Sequence, residues 1–273
     1  MGLKKLAARI LGKGQQVPKP DLPAHPFGTE PRASRERYLE LHRAAQSVAY
    51  PEIDAVEEKL GFAIDRPWME ELALHTQVVV KESSLNYNHG RLLYAALRRY
   101  LAGHDGSHVV IFETGTARGF SALCMACALQ DAAVPGYIVT VDMLPHERPI
   151  LWNCIDDHEG PKTRQQLLSA YPELLSRIVF LQGRSDEAVA TIGLLRVNFA
   201  FLDATHSEVD VRREFEFVSA RQRKGDVVIL DDVTPAAFPG VVAAVEAIEA
   251  GDDYAVERIV ASEQRGYAIA KHR

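Results

Sequence analysis

From Val109 to Leu230 the chain alternates short apolar runs with helical patterns, and that alternation leaves few folds open. The apolar runs are Val109–Phe112, Tyr137–Asp142, Ile178–Leu181, Phe199–Leu202 and Val227–Leu230. Between them the spacing predicts helices over Phe120–Gln130, Arg164–Ala170, Asp186–Thr191 and Glu208–Arg221. Strands that are apolar almost throughout need cover on both faces, which calls for a parallel sheet between helices. A helix over Gly240–Ala250 and strands over Tyr254–Ala261 and Gly266–Lys271 would add an antiparallel C-terminal edge. The expected fold is α/β: a Rossmann-like, doubly wound, mostly parallel seven-stranded sheet.

Ahead of the sheet, helical patterns cover Ser34–Tyr50, Glu52–Leu60, Pro67–Val80 and Asn88–Leu101. Met1–Gly14 sets Leu3, Leu6 and Ile10 against Lys4, Lys5, Arg9 and Lys13, and Val17–Pro31 is a proline-rich linker. The expected division is residues 1–33 as basic arm and linker, 34–105 as a helical cap, and 106–273 as the ligand-binding domain. The arm is read as a frayed or partner-packed helix, with weak peripheral membrane contact as the alternative, since one short basic segment anchors poorly.

Composition narrows the function. The net charge of −6 argues against nucleic acid as a partner, because a phosphate-tracking surface needs a basic excess. No apolar run approaches the roughly 20 residues of a transmembrane helix. The start lacks a secretory signal, and three cysteines suit a reducing compartment, so the cytoplasm is expected. The oligomeric state is left open, a homo-oligomer included.

The most informative stretch is Ile111 to Phe120, where the first strand meets Glu113, a glycine turn at Gly115 and the next helix. Such turns bind ligands through close backbone approach and free amides at the helix start. Glu113 would repel a dinucleotide pyrophosphate and attract a cationic or hydroxyl-rich ligand. The dinucleotide fingerprint also wants glycine where this chain has Ala117 and Phe120. S-adenosylmethionine, a sulfonium carrying an amino acid, suits the turn better than NAD.

Every strand end carries a polar group: Glu113, Asp142, Gly183-Arg184-Ser185, Asp203 and Asp231-Asp232. Carboxylates gathered in one crevice repel one another unless a cation resides there. Asp142 is placed to accept both ribose hydroxyls, with a turn role before Pro145 as the alternative. Arg184 and Ser185 would border the adenine, Gly183 letting the chain pass close, although Ser185 would serve equally as a helix cap. Asp203, Asp231 and Asp232 offer hard oxygen ligands that suit Mg²⁺, Ca²⁺ or Mn²⁺ rather than Zn²⁺, with Mg²⁺ the leading choice. An Asx-type turn explains Asp231-Asp232 as well. His206 is a candidate general base, or an exposed loop histidine. Cys124-Met-Ala-Cys127 reads as packing inside an apolar helix, and no Gly-x-Ser-x-Gly elbow supports a hydrolase.

With these motifs in order, the chain resembles class I S-adenosylmethionine-dependent methyltransferases from about Leu85 to Lys271. It looks closest to the metal-dependent O-methyltransferases of the catechol, macrocin and cephalosporin-biosynthesis groups. The resemblance implies that Glu113, Gly115, Thr116 and Ser121 hold the methionine end and that Asp142 holds the ribose. It implies that Asp203, which also borders the cofactor, binds metal with Asp231 and Asp232, and that His206 stands where the catechol enzymes have a lysine base. Asp232 takes the place of their asparagine. The Gly90 helix would cover the cofactor. The long segment Met143–Ser176 would border a small-molecule acceptor, or be a helical decoration packed away from the site.

The leading expectation is divalent-metal-assisted O-methylation of a sugar or other secondary-metabolite hydroxyl. Its rivals are a metal-independent O- or N-methyltransferase using His206 and a non-catalytic S-adenosylmethionine-binding module. An NAD oxidoreductase is the weakest candidate.

Overall fold

A computed structural model describes residues 23–262 and 265–273. The basic pattern of Met1–Gly14 and the start of the linker lie outside the described residues. From Pro23 the chain is irregular as far as Ser34, whose hydroxyl caps the first helix.

Helices α1 (Arg35–Gln46), α2 (Pro51–Leu60), α3 (Arg66–Thr76) and α4 (His89–Ala102) precede the sheet. Then come β1 (Val109–Thr114), α5 (Phe120–Asp131) and β2 (Gly136–Asp142). A 3₁₀ turn at Ile155–Glu159 and the short helices α6 (Arg164–Leu167) and α7 (Pro172–Leu175) fill the segment before β3 (Ile178–Gln182). The chain continues through α8 (Ser185–Ala188), β4 (Phe199–Leu202), α9 (Glu208–Ser219) and β5 (Val227–Leu230). It ends in α10 (Pro239–Glu249), β6 (Tyr254–Ser262) and β7 (Arg265–His272).

The strands form one seven-stranded sheet in the order β3-β2-β1-β4-β5-β7-β6. β1 to β5 run parallel, and β7 pairs antiparallel with both β5 and β6, as the strand pattern predicts. Side chains alternate faces along a strand, so each strand feeds two cores. Ile111, Phe199 and Phe201 pack with Phe120 of α5 and with Met69 and Leu92 of the N-terminal helices. Phe112, Ala200 and Leu202 pack on the opposite face against α9 and α10. Burial on both sides explains why these strands are apolar without alternation. A side chain at Gly90 would meet Phe120 at 2.6 Å, so glycine there lets α4 lie close on α5.

α3 stops at Thr76, short of the expected Val80. Val80 lies outside any helix or strand, and Asn153 clamps it, accepting from its N–H at 3.2 Å and donating to its carbonyl at 2.9 Å. Cys124 is buried within α5 and Cys127 is partly buried; both are free thiols, as expected for packing residues. Among the described residues no helix is long and apolar enough to cross a membrane.

Candidate active site

The β1–α5 turn is built around Gly115, at φ 87°. A Cβ there would lie 2.1 Å from the carbonyl oxygen of Asp203, so the end of β4 runs directly against the turn. Glu113 is fully buried and accepts hydrogen bonds from Ser121 Oγ and Thr140 Oγ1. Thr116 Oγ1 meets Thr140 Oγ1 at 2.5 Å. Two residues beyond Gly115, Ala117 adopts φ 45°. Its N–H donates to Asp142 Oδ2 at 2.6 Å, while Asp142 Oδ1 accepts from the N–H of Leu144 at 2.6 Å. The β2 carboxylate therefore ties two loops together at the sheet rim.

The acids after β4 and β5 converge. Burial, then Asp231 and Asp232, push the Asp203 carboxyl well above its usual range. Asp231 is pushed up to about 7 by burial and by repulsion from Asp232, with Arg265 opposing. Ligand atoms of Asp203, His206 and Asp232 lie within 4.8 Å of one another, a set that contains His206 and omits Asp231. Asp231 Oδ1 accepts from the N–H of Asp232 at 2.6 Å, and Asp232 itself is left-handed, at φ 57°.

His206 Nε2 is 3.0 Å from Asp232 Oδ2, and its ring stacks on Phe238 with centroids 4.2 Å apart. Gly240 lets the start of α10 press on the His206 carbonyl, where a Cβ would sit at 2.5 Å. The loop histidine is thus braced from two directions.

Several residues at this rim escaped the sequence reading. Arg265, opening β7, reaches Asp232 Oδ1 at 2.8 Å. Lys81 is within electrostatic reach of Asp232 and Asp203. His89 lies buried, parallel to Phe201 at 6.0 Å, and is held neutral by burial and Arg265, its pKa pushed down to about 3. None of these belongs to a short motif. A polar residue at the N-terminus of an antiparallel strand was the available signal for Arg265.

Arg184 and Ser185 do not join the cluster. Arg184 Nε pairs with Asp186 at 3.1 Å. Ser185 is buried and donates to Glu214 of α9, which also accepts from Thr114 Oγ1 at 2.8 Å. A Cβ at Gly183 would meet no protein atom within 4 Å. A cavity of about 1220 Å³ lies at the other, amino end of the strands, among Tyr100, Arg196, Asp226 and Lys271. The titratable cluster of Asp203, Asp231 and Asp232 lies at the opposite, carboxyl end of the strands and is the candidate site.

Glu113 and Glu214 are each pushed up to about 7, chiefly by burial, with their hydroxyl partners opposing. An unfolded glutamate ionises near about 4.3. Between those values the folded chain binds more protons, so stability falls as pH rises through the window and returns on acidification. Glu214→Gln is expected to flatten that slope and to raise the melting temperature at pH 8 by a few degrees. A melting series from pH 5 to 8 checks it.

Residues 112–233 match a family described as a methyltransferase domain. With the Rossmann-like sheet, that match makes this stretch of the chain similar to a methyltransferase domain. No curated protein matches the sequence. Among solved structures, cofactor-bound Rv0187 from MTB superposes with a TM-score of 0.55 at 16% identity, covering 77% of this chain and 91% of that one. The O-methyltransferase TomG from Streptomyces achromogenes, involved in tomaymycin synthesis and solved with SAM, gives 0.54 at 18% identity, covering 88% and 99%. At these identities the likeness is one of fold.

Proposed function

We propose that this protein transfers a methyl group from S-adenosylmethionine to a hydroxyl of a small molecule, such as a sugar or glycosylated metabolite. The observation that carries the reading is the meeting of Asp203, His206 and Asp232 beside the Gly115 turn. TomG, similar in fold, is an O-methyltransferase solved with SAM. The methionine end would lie along Glu113, Gly115, Thr116 and Ser121, and the ribose at Asp142. Arg184 and Ser185 would reach the adenine side only by leaving their present partners.

His206, oriented by Asp232 and Phe238, would take the hydroxyl proton. The acceptor oxygen then attacks the sulfonium methyl, its C–O bond forming as the C–S bond breaks. S-adenosylhomocysteine leaves as the neutral thioether. Holding the two reactants in line supplies much of the rate.

The oxygen donors of Asp203 and Asp232, with the charge of Asp231 nearby, fit a hard divalent cation such as Mg²⁺. Bound there, it would lower the pKa of a coordinated hydroxyl. A second, metal-independent reading is favoured by one contact: Arg265 already neutralises Asp232.

The test is turnover with S-adenosylmethionine and a panel of hydroxylated acceptors, before and after excess chelator. A loss of at least about tenfold, restored by Mg²⁺, is expected. Full activity in chelator selects the second reading. Failure to bind S-adenosylmethionine at all overturns the proposal.

A further inference from the structure

Arg164 opens α6, in the segment that joins β2 to β3, and its side chain is fully buried. The guanidinium lies 5.4 Å from the ring centres of both Trp152 and Phe180. Its Nε donates to the carbonyl of Ala117 at 3.0 Å. Nη1 and Nη2 are buried and have no hydrogen-bond partner among the described residues. Buried polar groups are nearly always paired, and an unpaired cation is the costliest exception. The carboxylates that act most on this charge are Asp142 and then Glu113, yet neither forms an ion pair with it.

Ala117 links these observations. Its φ of 45° is unusual for a residue with a Cβ, and such a conformation persists only where its surroundings enforce it. Asp142 takes its N–H and Arg164 takes its carbonyl, so the turn is held from both sides. The rings of Trp152 and Phe180 flank the guanidinium and favour its charge through their π faces.

We infer that Arg164 is a cofactor-positioning residue, pinning the Ala117 turn and presenting two buried donors at the rim beside Asp142 to the hydroxyl oxygens of a ribose. The inference rests on the S-adenosylmethionine reading and extends it. The segment between β2 and β3 then serves the cofactor as well as any acceptor.

Calorimetry on the full chain, with S-adenosylhomocysteine and its 2′-deoxy analogue, tests it. Arg164→Gln should weaken S-adenosylhomocysteine binding about tenfold or more, the size expected for a lost charge-assisted contact. It should also shrink the wild-type preference for the ligand that keeps its 2′-hydroxyl. Unchanged binding, or an equal loss for both ligands, overturns the inference, because a merely structural arginine would not alter that ratio. If the Gln variant melts at room temperature, Arg164→Lys gives the same measurement, since lysine keeps the charge and loses the fork. An unchanged ratio there overturns the inference too. Wild-type protein that binds neither ligand would instead sink the cofactor reading, which separates the two failures.

Discussion

Asp203→Asn is expected to lower turnover about 10²–10³-fold, the usual scale for removing one charge-stabilising group from a reacting centre. The same change should raise the melting temperature by a few degrees, because it removes a carboxyl that burial, Asp231 and Asp232 all oppose. Activity and stability moving in opposite directions distinguish a working carboxylate from a structural one. Asparagine keeps the shape of the side chain, so the β4 backbone should stay against Gly115. Turnover assays and thermal melts on the purified variant check both halves. A variant that methylates normally removes Asp203 from the mechanism.

Gly115→Ala should have the largest effect on folding. The added Cβ would sit 2.1 Å from the Asp203 oxygen and 2.6 Å from its carbonyl carbon, both rigid backbone atoms. Its φ of 87° adds conformational strain for any residue with a side chain. Relief requires separating the ends of β1 and β4, where the Asp203 N–H donates to the Thr114 carbonyl at 3.1 Å. A cost of about 3–5 kcal/mol follows, roughly a 10 °C fall in melting temperature for a chain of this size. Gly183→Ala is the matched control, since nothing crowds that position. Equal melting temperatures for the two variants would refute the close-approach argument.

The sheet was legible because hydrophobic pattern alone sets it. β4 and β5 fall where their apolar runs do, and both C-terminal strands were readable from theirs. Helix ends were harder: α6 stops at Leu167 and α3 at Thr76, beyond which Asn153 holds Val80 outside the helix. In the candidate site, the acids of β1, β4 and β5 were readable because a parallel sheet gathers its strand ends. Their counter-charges were not. Arg265 lies after Asp232 in the sequence and Lys81 well before it, and only the fold brings both within electrostatic reach of that carboxylate. Glu214, on the charged helix α9, is buried between Thr114 and Ser185, and nothing in its local sequence signals that. The inward contact of Ser185 with Glu214 was hidden for the same reason: a strand-end position does not announce which way a serine faces.

The ion pair between β7 and Asp232 gives the C-terminal hairpin a second duty. A strand that merely finishes a sheet tolerates trimming or exchange so long as its ladder partners remain. Here the outermost antiparallel pair carries the guanidinium that balances the acidic rim. A shortened chain lacking that pair would lose its electrostatic counterweight along with its edge, and Arg265→Met alone would disclose how much each is worth.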